Sequence, residues 1–272
     1  MTHKTKRYFL PGEEWLYYKI YCGVNTADIV LTDYVQPFVA YLIEKKIITK
    51  WFFIRYSEHG NHLRIRFLLK NVNQIHVVMQ LFQQKIEPLA ATHQIWDVQI
   101  NTYVREIERY GATTIEEAES FFYKDSDWVL RLISEFDSDT NRFEKTILYA
   151  QNLIASFKLS VEEEINFLHR MSLYFKNEFD TTKRSNKRIN IKYNEIKSSL
   201  LVNNSTIIDT SSKEIIQKLI TKKSTIPNEN LLASLIHMNS NRVFKTSQRL
   251  YEMLIYNFLY KASITTLKRN EQ

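Results

Sequence analysis

The 272 residues, 44% hydrophobic and 25% charged, suffice to bury a sizeable core, which excludes a disordered chain. A single cysteine, Cys22, excludes an intramolecular disulfide framework, and no run approaches the roughly 20 apolar residues of a membrane span. The net charge of +7 favours phosphates or carboxylates as partners without choosing between them.

The start, MTHKTKRYFLPGEEW, lacks the apolar stretch of a secretory signal, so a soluble protein of the reducing cytoplasm is expected. With only 4 Gly and 4 Pro, long elements and few tight turns are expected. Aromatic and β-branched runs at 15–22 (WLYYKIYC), 51–56 (WFFIRY), 63–69 and 95–103 predict strands of one sheet. SEHGN, between the second and third runs, has hairpin-turn chemistry and predicts that those two pair antiparallel. Helical spacing over 27–46, despite Pro37, and over 73–86 places helices between the strands. This order predicts an α+β fold with helices on one sheet face. Beyond Ile115 the pattern becomes helical, over 115–136, 142–155, 161–179, 211–220, 230–238 and 242–261. Ser160 followed by Glu163 reads as a capping box, and 180–187 and 203–212 read as loops. The whole is expected to be one domain over 1–272, with a sheet-bearing part at 1–112 and a helical part at 113–272.

Three local patterns carry chemistry. In HLRIRF, strand alternation puts His62, Arg64 and Arg66 on one face, opposite Leu63, Ile65 and Phe67. If that face is exposed, the pair of guanidiniums merely solubilises it. If it is covered, carboxylates from the protein or a ligand must neutralise them. In EIERYG, Glu106 and Arg109 share a face if the turn is helical, either as a surface ion pair or as a grip on a substrate carboxylate. In HMNSNR, at the expected junction of two helices, His237 is either a packed core histidine or a proton carrier, and Asn241 is placed to cap the second helix.

Other chemistries lack their signatures. His3, His59, His62, His76, His93, His169 and His237 show no metal-binding spacing, and neither a nucleophile elbow, a dinucleotide fingerprint nor a P-loop is present. No metal and no cofactor are therefore expected. Cys22 reads as a small hydrophobe. The basic run Lys183, Arg184, Lys187, Arg188 and Lys192 reads as a solvated face or as a contact for a polyanion or acidic partner.

Taken together, WLYYKIYC, WFFIRYSEHGNHLRIRF, EIERYG and HMNSNR resemble the C-terminal elimination domain of lanthipeptide and thiopeptide dehydratases, found also as free-standing thiopeptide-type bacteriocin biosynthesis proteins. The resemblance spans nearly the whole chain, with residues 125–225 similar only in length and character. It implies a lyase that expels glutamate from glutamylated Ser or Thr of a precursor peptide, leaving dehydroalanine or dehydrobutyrine. The matching positions are Arg64, Arg66, Glu106, Arg109 and His237, with His62 beside the arginines as a further substrate-binding residue. It also implies a separate glutamylating subunit as partner and a homodimer. Direct nucleic-acid binding is not expected, because the aromatics read as strand and helix core and not as an exposed stacking surface, and the short apolar runs give no expectation of membrane insertion. Two departures stand out: Arg105 and Ala112 occupy positions where the family often has Pro and Gly. Two other functions stay open: a pyridine synthase of the same fold, joining two dehydroalanines with loss of the leader, and a non-catalytic partner that presents the precursor peptide.

Overall fold

A computed structural model of the chain describes residues 5–202, 207–222 and 226–270. Its element order is β1 (Tyr8–Phe9), β2 (Trp15–Cys22), α1 (Thr26–Ile29), a π-helical turn (Val30–Val35), α2 (Gln36–Glu44), β3 (Ile48–Tyr56), β4 (His62–Leu69), a 3₁₀ turn (Val72–Gln74), α3 (Ile75–Ala91), β5 (Ile95–Ile100), β6 (Tyr103–Val104) and α4 (Ile107–Tyr110). Seven helices follow: α5 (Ile115–Glu135), α6 (Asp139–Ser156), α7 (Val161–Glu178), α8 (Lys183–Val202), α9 (Thr210–Thr221), α10 (Asn228–Val243) and α11 (Gln248–Asn270). This is the α+β arrangement expected, a sheet-bearing N-terminal half and a helical C-terminal half.

The main sheet is antiparallel, in the order β3-β4-β2-β5. Tyr18 and Phe67 on one face pack against Phe82 of α3, with ring centroids 4.7 and 5.7 Å away, and Phe38 of α2 lies 5.1 Å from Phe82. The π turn precedes Pro37, giving a ring that has no N–H to donate room against the turn before it. The outer edge of β3 is closed by helices. Phe53 N–H donates to Ser126 Oγ of α5, and Phe53 O accepts from Arg242 Nε of α10 at 2.7 Å. Buried residues of sheet and helices form one continuous core.

The expected single sheet is corrected. The run 95–103 splits at Asn101, whose N–H is held by Tyr17 O, and Tyr103–Val104 pairs instead with Tyr8–Phe9 as a separate two-stranded ribbon. Arg105 N–H extends this ribbon by bonding Arg7 O, a bond that proline cannot make. The Arg105 side chain is buried in a bidentate pair with Glu119.

Helix boundaries shift for physical reasons. Segment 180–187 is largely helix, not loop: α8 begins at Lys183, and Tyr193, Ile196 and Leu200 bury one stripe, a pattern its many charges obscure. In 203–212, residues 203–206 lie outside the described residues, Ile207–Asp209 is irregular and α9 starts at Thr210. The break expected after Met238 is absent, since α10 runs through Asn239, Ser240 and Asn241 to Val243, leaving Asn241 no capping role. Tertiary bonds outweigh the weak helix propensity there: Asn239 and Arg242 both reach Asp125. The turn comes instead at 244–247, with Ser247 at φ +54°. The Ser160–Glu163 capping box forms reciprocally at the start of α7.

Candidate active site

The second sheet face carries the polar chemistry. Cross-strand register stacks Tyr17 beside Arg66, Lys19 beside Arg64 and Tyr21 beside His62, with Phe52, Ile54 and Tyr56 completing the rows. Its far end is roofed by the ribbon and α5: Tyr103 lies 5.3 Å from Trp15 and 6.0 Å from Phe52, and Phe122 lies 5.4 Å from Phe52.

Arg66 is buried under this roof, 8% exposed, and its guanidinium carbon sits 4.3, 4.9 and 5.1 Å from the ring centroids of Tyr17, Tyr103 and Phe52. Of the two neutralisers expected for a covered arginine, a carboxylate of the protein or one of a ligand, the first is not found beside Arg66 among the described residues. Aromatic faces stand where an acid was expected, and among the described residues Arg66 makes no ion pair while its Nε has no acceptor. Burial lowers its pKa, Tyr17 and Tyr103 oppose the shift, and the charge of Glu106 also reaches it.

Arg64 lies 3.4 Å from the Tyr56 ring centroid, and its Nε donates to His62 Nε2 at 3.1 Å. His62 Nδ1 is 2.8 Å from Gly60 O, so the ring is neutral, donating from Nδ1 and accepting at Nε2. Burial holds its pKa below the ordinary value, with Arg64 and Lys19 adding to the shift against the Gly60 carbonyl. His62 thus braces Arg64, with both ring nitrogens engaged.

Lys19 is a residue the motifs did not single out. It is half-buried directly across from Arg64 and makes no ion pair among the described residues. Burial, then Arg64 and Arg66, lower its pKa. Three cations therefore share one face without an acid between them. The signal that could have found it is a lone lysine in an otherwise apolar strand, pointing away from Leu16, Tyr18 and Ile20.

Glu106 stands at the N-terminal boundary of α4, its side chain making no capping bond, and faces Arg109 across 3.4 Å in an exposed i,i+3 pair. Between them and the core sits Tyr110, whose hydroxyl pKa is pushed far up by burial and by Glu106, opposed by Arg109 and Arg242. His237 is on α10, which packs against both α4 and β3, so its helix borders the ground carrying Arg109 and the edge of the arginine face. Its own polar neighbours differ: Nδ1 is 2.9 Å from buried Glu252, and Nε2 is 3.1 Å from the Asn241 amide. Glu252 also accepts from Arg249 at 2.8 Å. The fold therefore gathers Lys19, His62, Arg64 and Arg66 tightly, sets Glu106 and Arg109 on the adjoining turn, and gives His237 a separate carboxylate on a neighbouring helix. Cys22 is buried, and its thiol is pushed up to about 11 by that burial. A cleft of about 880 Å³ beside the ribbon is lined by Lys6, Glu14, Lys50, Arg105 and Glu119, mixed in charge where the arginine face is uniformly cationic. No helix among the described residues is long and apolar enough to cross a membrane.

The family model described as "Lantibiotic biosynthesis dehydratase C-term" matches residues 15–263. The subtilin biosynthesis protein SpaB of Bacillus subtilis is 24% identical over 269 residues, covering 90% of this chain and 25% of that protein. The nisin biosynthesis protein NisB of Lactococcus lactis subsp. lactis is 27% identical over 281 residues, covering 96% and 26%. The chain thus spans about a quarter of the length of these curated relatives. Among solved structures, the tRNA-dependent lantibiotic dehydratase MibB from Microbispora sp. 107891 superposes with TM-score 0.72 at 21% identity, covering 96% of this chain and 29% of that one. The pyridine synthase TbtD from thiomuracin biosynthesis superposes with TM-score 0.63 at 12% identity, covering 92% and 98%. At these identities the two structures speak to the fold alone.

Proposed function

The chain belongs to the lantibiotic biosynthesis dehydratase C-terminal family, and we propose that it is a glutamate-elimination lyase. Its substrate is a precursor peptide whose Ser or Thr side chains a separate glutamylating subunit has esterified. Its products are free glutamate and a dehydroalanine or dehydrobutyrine residue. The observation that carries this reading is the set Lys19, Arg64 and Arg66, three cations on one face with no protein acid, one of them buried. A buried unpaired charge costs several kcal/mol, and an incoming carboxylate repays that cost.

The chemistry suits these groups. Loss of the Cα proton puts enolate-like charge on the neighbouring peptide carbonyl, and cleavage of the Cβ–O bond releases a carboxylate. Fixed guanidiniums stabilise both better than water does, because they need no reorganisation as charge develops. Arg64, held by His62 and the Tyr56 ring, and Arg66, held among three aromatic rings, are preoriented in this sense. Arg109 supplies a movable grip on the leaving glutamate, and Glu106 positions it. His237 moves the proton. Glu252 fixes its ring through Nδ1, which leaves Nε2, now bonded to the Asn241 amide, as the nitrogen that exchanges a proton with substrate.

The test is to incubate the purified chain with a synthetic peptide bearing a glutamylated Ser and to follow its mass. Conversion to dehydroalanine supports the reading, and an unchanged ester under conditions where the chain is folded contradicts it. The shared fold with a pyridine synthase favours one second reading. Release of the leader from a multiply dehydrated peptide, with no action on the ester, would select it.

A further inference from the structure

We propose that the groove between α8 and α11 docks an acidic amphipathic helix of a protein partner, a role independent of the elimination reading. The groove, about 380 Å³, has an apolar floor of Phe179, Ile189, Leu250, Met253 and Leu254, with Arg188 and Lys192 on its rim. Phe179 and Leu250 are 38% and 41% exposed, so the floor is open to solvent. Exposed apolar floors with a polar rim mark interaction sites.

The charge around the floor says what covers it. Lys183, Arg184, Lys187, Arg188 and Lys192 crowd the first half of α8, with no acidic residue in that helix before Glu195. Lys192 pairs with Glu195 at 3.0 Å, while the other four make no ion pair among the described residues. Lys183 and Arg184 stand in the first turn, where the helix dipole disfavours cations. The arrangement is unfavourable for α8 alone and favourable once acids arrive from outside.

A helix with apolar residues at i, i+3, i+4 and i+7 and Asp or Glu on its flanks matches both features, floor and rim. RNA matches only the rim: sequence-tolerant single-strand binding needs successive aromatic platforms, and this floor is aliphatic but for Phe179.

The experiment is fluorescence anisotropy of the full chain with a labelled synthetic peptide of about 18 residues, long enough for helix to form on binding, with Leu on one face and Glu on its flanks. Saturable binding is expected, weakened about tenfold or more by Leu250→Asp and, separately, by Lys183→Glu with Arg184→Glu, with a scrambled peptide equally weak. The double charge reversal is expected to raise, not lower, the thermal stability of α8, which separates loss of binding from loss of folding. The proposal is overturned by absence of saturable binding, by Leu250→Asp binding as wild type, by equal binding of the scrambled peptide, or by a single-stranded RNA that displaces the helix.

Discussion

The helical half and the sheet face treat arginine in opposite ways. Arg142 and Arg242 are fully buried, and each is met by a carboxylate at 2.6 Å, Asp28 and Asp125 respectively, with backbone carbonyls taking further N–H groups. Arg105 is buried against Glu119 in the same manner, and so is Arg55, on the other face of the sheet, against Asp28. Arg66 is comparably buried and has aromatic rings where the others have acids. The fold supplies buried acids to four arginines and none to a fifth, and under the elimination reading that fifth position is held for a carboxylate of the substrate.

Exchanging the members of this comparison should give opposite outcomes. Arg242→Met strands Asp125 without its cation and should lower stability by about 3–5 kcal/mol in urea denaturation, whatever happens to activity. Arg66→Met strands nothing and should melt at or above the wild-type temperature, while elimination slows about 10²- to 10³-fold in a mass-spectrometric assay. If Arg66→Met instead unfolds the protein, Arg66 belongs with the structural arginines and the contrast fails. Lys19→Gln removes a half-buried cation and should raise KM for the glutamylated peptide about fivefold, with kcat little changed.

The smallest effect is one of direction. His62 is held neutral, its pKa below the ordinary 6.5, chiefly by burial. As pH falls through 6.5 the unfolded chain takes up the proton first, so the stability this group contributes is complete above 6.5 and is lost below it. Thermal melts between pH 5 and 8 should show a decline toward acid that is shallower in His62→Gln.

What could be read before folding divides along the same line. Alternation within a single strand was enough to place His62, Arg64 and Arg66 together, because their geometry depends only on that strand's own period. Lys19 was visible as a lone lysine in an apolar strand, but its place across from Arg64 was not legible, because cross-strand register is a property of two segments more than forty residues apart. The ribbon that roofs Arg66 rests on a two-residue strand at Tyr8–Phe9, too short to leave a periodic signal. The uninterrupted α10 was hidden for a related reason. Asn239, Ser240 and Asn241 are weak helix formers, and the helix is held through them by bonds that propensity does not see, from Asn239 to Asp125 on α5 and from Arg242 to Phe53 on β3.

The central claim is tested most directly by calorimetric titration of free glutamate into wild type and into folded Arg66→Met. The account predicts saturable binding to wild type that Arg66→Met loses while its melting temperature holds. Equal binding by both proteins, or none by wild type, would contradict it.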